Sequence, residues 1–461
     1  MQIALIVACA QFMQNLDGTI IVTALPAMAQ SFATTASRMS EGITAYALAA
    51  AVFIPASGWL ADRMGTRNLF CVAIGLFTLA SMACGMAVSF GGFIGWRLVQ
   101  GGTAAMMSPV GRMIVLRNTE KKGELMQTLS TLVWPSLIAP VIGPPLGGFI
   151  TSAASWSWIF YINVPFGIAA IALALAVIPN HRSAERSSFD IRGFLLLAIA
   201  VGCLTYGFDV AGARRVEVPV VTALIAAAAV AGVLAVRHLE SVRQPVVSLA
   251  PLRRHAFFVA CVSGGGISRA AISATPFLLP LMLEVGFGLS PLDSGLLLLV
   301  YMLANFLMKV VTNPIVRRFG MRKVLMINGA ITAAGIAACA LIFPGLPAVL
   351  IAAILLLSGA SRSLQFSALT YMTFAEIAPE ERSPASVLSS LTMQVANGVG
   401  VALAALLLNF SRLLRHAASL APFDFRLALI AMGVFGALGL FAYAGLAEGT
   451  GAEVSGQAAA G

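Results

Sequence analysis

Charged residues are scarce in this sequence: they make up only 10% of its 461 residues, while 59% are hydrophobic. Soluble globular domains carry about 25% charged residues, so this composition excludes an ordinary soluble protein. Apolar runs of roughly 20 residues, the length that a helix needs to cross a bilayer, recur along the whole chain. The sequence therefore predicts an all-α membrane protein with many spans.

Motifs of nucleotide-driven pumps and of metalloenzymes are also missing. The sequence contains neither a GxxxxGKS/T phosphate loop nor an HExxH cluster, so we expect a protein that is not an enzyme. The four histidines lie between the apolar runs, and the six cysteines lie inside them without CxxC spacing. These patterns predict no metal site, no disulfide and no cofactor. No ring of like residues indicates an ion-channel filter.

Fourteen apolar spans can be delimited in the sequence. They cover residues 3–29, 42–61, 69–88, 92–115, 125–150, 157–178, 191–209, 218–236, 256–283, 293–316, 324–343, 347–374, 384–409 and 425–447. Loops after the even-numbered spans are rich in arginine and lysine, whereas the opposite loops hold few. Since positively charged loops remain in the cytoplasm, we predict that both termini lie in the cytoplasm. The same placement explains the net charge of +10 better than nucleic-acid binding does.

Two sequence patterns occur twice, in the same order. Residues 62–67, DRMGTR, share their spacing with residues 317–322, RRFGMR, and an Arg-x-x-Gln pattern at residue 97 recurs at residue 362. This order predicts two parallel halves of six spans with a transport site between them. The predicted units are an N-terminal six-helix bundle at 1–180, a linker with two additional helices at 181–254, a C-terminal six-helix bundle at 255–447 and a disordered cytoplasmic tail at 448–461.

Five ionisable side chains lie inside the predicted spans. A charge near the bilayer centre costs roughly 2.5–3.5 kcal/mol on insertion scales, so such residues are functional candidates by default. They are Asp17, Arg97, Arg269, Lys309 and Arg362. Burial and nearby cations act in opposite directions on a carboxyl group's proton affinity, so a conformational change can load and unload a proton. We interpret Asp17 as the proton carrier and Arg97 as its modulator; the alternative is a structural salt bridge between Asp17 and Arg97 or another cation.

The stretch GWLADRMGTR at 58–67 joins the second and third predicted spans by a very short turn. Its glycines permit tight backbone geometry, and Asp62 can accept hydrogen bonds from a helix N-terminus or pair with a basic residue such as Arg112. We interpret the loop as a clamp that releases when the two halves rock; the alternative is an ordinary charged loop. The residues of this predicted gate are Gly58, Asp62, Arg63, Gly65, Arg67 and Arg112.

The fifth predicted span contains the stretch APVIGPPLGG at 139–148. Its glycines form a small-residue face that lets another helix approach closely, and its prolines remove backbone hydrogen bonds and bend the helix. Such a bend against a close neighbour can seal a cavity against proton leakage; the alternative is simple helix packing. The residues concerned are Gly143, Pro144, Pro145, Gly147 and Gly148.

These stretches together resemble one known family. Residues 58–67 resemble the signature loop of the major facilitator superfamily, and RLVQGGTAA at 97–105 resembles its fourth-helix motif. Residues 139–148 resemble the antiporter motif of its drug exporters. LDGTIIVTALP at 16–26 and WSWIFYINVPFG at 156–167 are similar to the fourteen-span drug:proton antiporters of the EmrB/QacA type.

The resemblance implies the major facilitator fold: two six-helix bundles plus two additional central helices, fourteen transmembrane helices in all. It further implies proton-coupled efflux of amphipathic small molecules across the bacterial inner membrane by alternating access. A proton-coupled symporter for a small metabolite on the same fold is the alternative. Expected partners are a small-molecule substrate, protons and membrane lipids, and related exporters can also use a periplasmic adaptor and an outer-membrane channel.

The resemblance also implies that the helices bearing the intramembrane charges line a central cavity. Four cations against one carboxylate would make that cavity net positive, which favours anionic or neutral amphiphiles over lipophilic cations. We predict that Arg269, Lys309 and Arg362 help to bind an acidic group; the alternative is pairing with backbone carbonyls or with Glu284. Further candidates for the cavity wall are Gln100, Gln365, Phe12, Met13 and Met106, of which the apolar ones have ordinary packing as their alternative role.

Overall fold

The computed structural model describes residues 2–34, 36–39, 41–119, 122–182, 188–212, 218–378, 381–417 and 420–452. These residues form eighteen α-helices and no strand. The first nine helices are α1 (Gln2–Ser31), α2 (Ala36–Met39), α3 (Glu41–Phe53), α4 (Ala56–Met64), α5 (Thr66–Gly85), α6 (Phe90–Arg117), α7 (Lys122–Ala153), α8 (Trp158–Tyr161) and α9 (Asn163–Val177). The other nine are α10 (Ile191–Gly212), α11 (Val218–Ser241), α12 (His255–Cys261), α13 (Gly264–Leu281), α14 (Pro291–Phe319), α15 (Met321–Ala338), α16 (Ala348–Ala375), α17 (Arg382–Leu414) and α18 (Pro422–Ala444).

Each of the fourteen predicted spans coincides with one helix or with two consecutive helices. Within the described ranges, ten helical segments are long and apolar enough to cross a bilayer, and α3 with α4 forms an eleventh that is bent by 63°. That bend lies at Pro55, which cannot donate a helical hydrogen bond. The three remaining predicted spans, 92–115, 125–150 and 191–209, fall on α6, α7 and α10.

The repeated loop pattern has a structural counterpart. Gly65, between α4 and α5, has φ 89° and ψ 146°, and Gly320, between α14 and α15, has φ 79° and ψ 157°. Residues with a Cβ rarely adopt this conformation, so glycine is required at both turns. Equivalent turns at equivalent places in the two halves support their origin as a repeat.

Packing divides the helices into two bundles and a middle pair. In the first bundle α1 packs along α7, while α6 packs against α3 and α5, and α5 also packs against α9. In the second bundle α13 packs against α17 and α18, α15 against α16 and α18, and α14 against α16. The bundles meet where α6 contacts α17 and where α7 contacts α14. Helices α10 and α11 pack on each other, and α10 lies against α3 and α17, one helix from each bundle.

The outward faces of these helices carry large apolar side chains. Val230 is 61% exposed, Val434 61% and Phe441 80%. Exposed side chains of this kind are costly in water but not in lipid, so they match a multi-pass membrane protein. The boundaries that we predict between the units stay a prediction.

Part of the predicted disordered tail is ordered. Residues 447–452 form turns that fold back on the start of α15, where Glu448 lies 3.3 Å from Arg322 and Gly451 contacts Met321. The rest of that tail, residues 453–461, lies outside the described residues.

We call one end of the molecule the basic face. It comprises residues 62–68, 117–119, 180–182, 188–190, 243–254 and 381–387, which contact one another, and it carries the arginine-rich loops that we predict to be cytoplasmic.

Candidate functional site

Asp17 lies at the centre of a buried polar network within the first bundle. Arg97 Nη1 on α6 donates to Asp17 Oδ2 over 2.7 Å, and Gln100 Nε2, one turn further along α6, donates to Oδ1 over 2.8 Å. Asn163 Nδ2, at the start of α9, donates to the same Oδ1 over 3.0 Å. Asp17 is 1% exposed and Arg97 0%. In this conformation the carboxyl group is therefore closed off from solvent and surrounded by donors.

Arg97 is also held by groups other than Asp17. Its Nε donates to the carbonyl oxygen of Gly42 over 3.2 Å, and its guanidinium lies 4.5 Å from the centroid of the Tyr46 ring. Its Nη2 is buried and has no hydrogen-bond partner. The salt bridge that the sequence offered as an alternative to the proton carrier is thus present. A salt bridge is compatible with proton carriage, so the predicted roles of Asp17 and Arg97 stay a prediction.

A separate cavity of about 350 Å³ lies between the two bundles. Its walls come from α1, α6 and α7 on one side and from α14, α16 and α17 on the other. Its polar wall residues are Gln11, Asn15, Ser108, Arg112, Asn305, Lys309, Arg362, Thr370 and Asn397. Its apolar wall residues are Leu129, Leu132, Phe366 and Met393. We call it the central cavity.

The central cavity is positively charged. Arg112, Lys309 and Arg362 are among its wall residues, and these described wall residues include no acidic side chain. Lys309 donates to the hydroxyl group of Ser367, and Arg362 lies 5.6 Å from the centroid of the Tyr301 ring, with its buried Nη1 lacking a hydrogen-bond partner. A ligand with an acidic group would supply the charge that these wall residues lack.

Arg269 lies just behind the cavity wall. Its Nη1 donates to the carbonyl oxygen of Ala260 over 2.6 Å, and its guanidinium lies 5.7 Å from the centroid of the Phe366 ring, which faces the cavity. Arg269 is 4% exposed, and its Nε has no hydrogen-bond partner. Both predicted alternatives are therefore partly realised for Arg269: it binds a backbone carbonyl, and it stands one aromatic ring away from the cavity. Glu284 is exposed and forms no ion pair with a described side chain.

Several predicted wall residues lie elsewhere, and the structure corrects those predictions. Gln100 belongs to the Asp17 network, and Gln365 accepts from Asn328 Nδ2 over 2.9 Å inside the second bundle. Phe12 packs edge-on against Phe166, whereas Met13 and Met106 are 0% and 8% exposed within the first bundle core. The helices are apolar all round, so the sequence pattern does not indicate which face is turned to the cavity.

The sequence contained a usable signal for the wall residues that we missed. Asn305 stands one helical turn before Lys309, and Phe366 stands one turn after Arg362, so each shares a face with a cation. Asn397, on α17, has no cation one helical turn away, so the sequence contained no signal for it. Residues four positions from Lys309 or Arg362 were therefore better candidates than the glutamines three positions after Arg97 and Arg362.

The turn that we predict to be a gate is present at residues 58–67, but its ion pair differs from the expectation. Asp62 pairs with Arg117 over 3.5 Å, whereas Arg112 donates to Ser390 Oγ over 2.8 Å and to Ser389 Oγ over 3.4 Å on α17. The physical reason is position: Arg117 ends α6 at the basic face, while Arg112 lies more than one turn deeper and faces the other bundle. Arg112 thus belongs to the central cavity.

The other gate residues pack as a compact turn. A Cβ on Gly58 would lie 3.1 Å from Val387 of α17, and one on Gly65 would collide with Asn180. Asn180 Oδ1 accepts from the backbone N–H of Arg67 over 3.2 Å, which ties the end of the first bundle to this turn. The Arg63 guanidinium lies 5.4 Å from the centroid of the Trp59 ring.

Further contacts between the bundles close the basic face. Arg382, at the start of α17, donates to the carbonyl oxygens of Leu116 and Thr119 over 2.5 and 3.1 Å at the end of α6. Ser386 donates to the carbonyl oxygen of Pro109 over 2.9 Å. A cation at the carbonyl end of a helix is stabilised both by hydrogen bonds and by the helix dipole.

The glycine-rich stretch of α7 packs against α1, beside Asp17. A Cβ on Gly143 would lie 2.3 Å from Thr19 Oγ1, and one on Gly147 would lie 2.4 Å from Thr23 Oγ1. The close helix approach that the sequence predicts is therefore present at these two positions. Gly148 has no atom within 4 Å of such a Cβ, and Pro145 is exposed, so these two do not form that contact. The side chain of Pro144 lies outside the described residues.

Comparisons with known sequences agree with this geometry. The family model of the Major Facilitator Superfamily matches twice, at residues 7–268 and 261–459. The chain is 35% identical over 407 residues to "Putative multidrug resistance protein MdtD" of Citrobacter koseri, covering 87% of this chain and 85% of that protein. It is 36% identical over the same length to the protein of that name from Escherichia coli O6:H1, with the same coverage.

Solved structures give the same fold. The human organic anion transporter MFSD10 aligns over 96% of this chain and 99% of its own, with a TM-score of 0.67 and 13% identity. The Escherichia coli fucose:proton symporter FucP aligns over 96% of this chain and 97% of its own, with a TM-score of 0.63 and 13% identity. With two bundles, a cavity between them and these matches across its length, the chain belongs to the Major Facilitator Superfamily of membrane carriers.

Proposed function

We propose that this protein exports amphipathic small molecules across the bacterial inner membrane in exchange for protons, by alternating access of its two bundles. The relatives named as multidrug resistance proteins support export. The observation that carries the substrate class is the central cavity, where three cationic side chains stand beside Phe366, Leu129 and Met393. Such a wall suits a molecule with an apolar body and an acidic or neutral polar group.

Alternating access requires the contacts at the basic face to break. In the present conformation α6 and α17 are held together by Arg382 and Ser386. On the other side of the cavity, Ser130 of α7 and Tyr371 of α16 donate to Asn313 Oδ1 of α14 over 3.0 and 2.9 Å. A substrate shifts the balance between closed and open states by the difference in its affinity for the two states.

Proton coupling is proposed to act through Asp17 and Arg97. Protonation of Asp17 would remove one charge of a buried pair and leave the other without its counter-charge. That state costs several kcal/mol unless the helices rearrange. Because α1 and α6 carry Asp17 and Arg97 and also line the central cavity, a rearrangement of this pair would reach the substrate.

A proton-coupled symporter is the second candidate, and one observation favours it. The described cavity wall includes cations without a carboxylate. Binding of an anionic substrate there raises the affinity for a proton, and binding of a proton raises the affinity for the anion, because their charges are opposite. Mutual attraction suits movement in the same direction, whereas exchange needs the two to compete. The direction of the proton gradient that drives transport separates the two candidates.

The test uses everted membrane vesicles that contain the full chain and a fluorescent aromatic acid as substrate. For exchange, an acidic vesicle interior drives uptake of the dye, and adding the dye releases protons from the vesicles. For symport, an acidic exterior drives uptake instead. If neither gradient changes uptake relative to vesicles without the protein, the proposed proton coupling is wrong. Parallel purification with periplasmic proteins tests the proposed adaptor and outer-membrane channel.

A further inference from the structure

A second cavity, of about 440 Å³, lies outside the central cavity. It is enclosed by the middle pair α10 and α11 on one side and by α13 and α17 on the other, with a loop at 247–252 above it. Its described wall residues include no charged side chain, and Thr392, whose hydroxyl group donates to the carbonyl oxygen of Ser389, is its only alcohol. We call it the middle-pair pocket.

The middle-pair pocket is distinct from the transport site because α17 separates the two. Met393 and Asn397 face the central cavity, whereas Val395, Ala396 and Val399 line the middle-pair pocket. The stretch of α17 that lines the pocket runs from residue 388 to residue 399, which is about 16 Å of helix. The pocket therefore extends along α17 from the basic face towards the middle of the membrane.

Neither a void nor water suits this space. An apolar cavity of this size is strongly destabilising when empty, and water needs several polar partners that these walls do not provide. The space exists because small residues line it: a Cβ on Gly232 would meet only the Cβ of Ala200, at 4.0 Å. A hydrocarbon ligand is the occupant that the walls can accommodate.

The pocket communicates with the lipid-facing surface. Among its wall residues, Val236 is 46% exposed, Val262 41% and Val399 37%. A side opening bordered by valines gives hydrocarbon chains of the bilayer a direct entrance, with no polar barrier to cross. Towards the basic face, in contrast, Val247, which is 2% exposed, forms part of the loop that covers the pocket.

Positive charge surrounds the covered end of the pocket. Arg253 directly follows the wall residue Leu252, Arg237 directly follows Val236, and both arginines are exposed. Three acidic groups lie near this end: Glu240 is exposed, Glu381 pairs with Arg254 over 3.2 Å, and Asp190 hydrogen-bonds to His238 and to the Val246 N–H. The exposed arginines are thus available to the phosphate of a headgroup at this depth.

We propose that the middle-pair pocket binds one acyl chain of an anionic phospholipid, whose headgroup lies at Arg237 and Arg253. The chain enters beside Val236 and fills the space between α11 and α17. Lipid binding at this place is independent of the transport direction and of the transported substrate. In this proposal, the two additional helices α10 and α11 hold a lipid chain against α17 and support that helix.

The test is photocrosslinking of the full chain in vesicles that contain phosphatidylglycerol with a diazirine on one acyl chain, followed by peptide mapping. We expect label on the wall stretches 232–239 and 388–399. Gly232→Phe fills the pocket and should lower that label at least five-fold. Val230→Phe, on the lipid-facing side of the same helix, should leave it unchanged. Ala396→Leu is a second pocket-filling variant, should Gly232→Phe fail to fold.

Further labelling experiments distinguish the contribution of the lipid headgroup from that of the acyl chain. With Arg237→Gln and Arg253→Gln combined, the label from phosphatidylglycerol should fall to the level obtained with phosphatidylcholine carrying the same chain. Equal labelling of the pocket and of the outer face of α11 in the unmodified protein overturns the proposal. A photoreactive transport substrate that labels the pocket while the lipid does not would assign the pocket to substrate entry and also overturn it.

Discussion

Asp17 Oδ2 and Arg97 Nη1 lie 2.7 Å apart in the interior of the first bundle, with both side chains almost completely buried. They are 80 residues apart in the chain and lie on different helices. Gln100 and Asn163 complete the shell around the carboxylate, whereas one nitrogen of the guanidinium has no hydrogen-bond partner. Without Arg97, the Asp17 carboxylate would keep two other hydrogen-bond donors. Without Asp17, the buried Arg97 guanidinium would have no counter-charge in this shell.

This asymmetry predicts the stability of variants. Asp17→Asn leaves the buried guanidinium without a counter-charge and should lower the free energy of unfolding by about 3–5 kcal/mol. The double variant Asp17→Asn with Arg97→Gln should recover part of that loss, since no uncompensated charge remains. Denaturant titration of the purified protein in detergent measures the double-mutant cycle. Strictly additive losses in the two single variants would contradict the predicted coupling.

The same carboxyl group should control the response to pH. If Asp17 carries the proton, Asp17→Asn abolishes substrate movement driven by a pH gradient, but keeps exchange of labelled for unlabelled substrate at zero gradient. Glu376→Gln, which changes an exposed acid at the end of α16, is the matched control and should behave as the unmodified protein. Gradient-driven transport by Asp17→Asn with an unchanged pH profile would remove Asp17 from the mechanism.

The charge of the central cavity should select substrates. Lys309→Gln removes a cation from the wall, so the KM for an aromatic acid should rise about tenfold or more, because a hydrogen bond to a charged group contributes about 1.5–3 kcal/mol. The KM for a neutral amphiphile of similar shape should stay within a factor of two. Lys323→Gln, at an exposed site in the first turn of α15, controls for the loss of a positive charge. Equal effects of both variants on both substrates would show that the charge of the cavity does not determine which substrate binds.

The contacts of α17 with α6 should set how often the basic face opens. Arg382→Ala removes two hydrogen bonds to the carbonyl end of α6, so a cysteine placed at Ser108 in the cavity should react several-fold faster with a membrane-impermeant maleimide from that face. The measurement uses a background that lacks the native cysteines. Arg318→Ala is the control, because Arg318 lies exposed beside α15 and away from the other bundle. An unchanged rate for Arg382→Ala would mean that other contacts hold the gate.

The hydrogen bonds of Asp190 predict that the stability of the segment at the start of α10 depends on pH. Although burial acts to raise it, the pKa of Asp190 is held below its ordinary value by hydrogen bonds from the Gly193 N–H, from His238 and from the Val246 N–H. A lowered pKa means that the ionised form stabilises the folded segment. That stabilisation is complete above the ordinary carboxyl pKa of about 3.9 and is lost as the pH falls through the lower, folded value.

Hydrogen exchange of residues 188–193 measures this dependence. Between pH 6 and pH 4 the protection of the segment should stay constant after correction for the intrinsic rate, and it should fall below pH 4. Asp190→Asn should reduce protection at pH 6 and remove the dependence below pH 4. A constant protection factor down to pH 2.5 in the unmodified protein contradicts the prediction.

The sequence predicted the positions of the helices well because membrane helices are defined by length and hydropathy. All fourteen spans fall on helices, and the two glycine turns occupy the expected places. The family resemblance implied that the helices with the five intramembrane charges line one cavity; Lys309 and Arg362 are in its wall, whereas Asp17, Arg97 and Arg269 are not. These inferences need no knowledge of which helix packs on which.

Partner choice could not be predicted in the same way. Arg112 and Arg117 are both basic and lie five residues apart near the end of α6, but only Arg117 reaches Asp62. Likewise, Gln100 and Gln365 each lie three residues after an arginine, and each turns into its own bundle. The difference arises from helix rotation, which an apolar circumference leaves undefined in the sequence.

The sequence by itself determined that this chain enters a membrane, how its spans are divided and which few charges enter the apolar region, because lipid penalises each polar group wherever it stands. Only the tertiary structure decided which charges meet. It placed Asp17 and Arg97 in a closed pair, gathered Arg112 with Lys309 and Arg362 around one cavity, and left an apolar pocket behind α17. Such pairings depend on the rotation and close approach of helices, which the packing of small residues such as Gly143 and Gly147 sets and hydropathy does not.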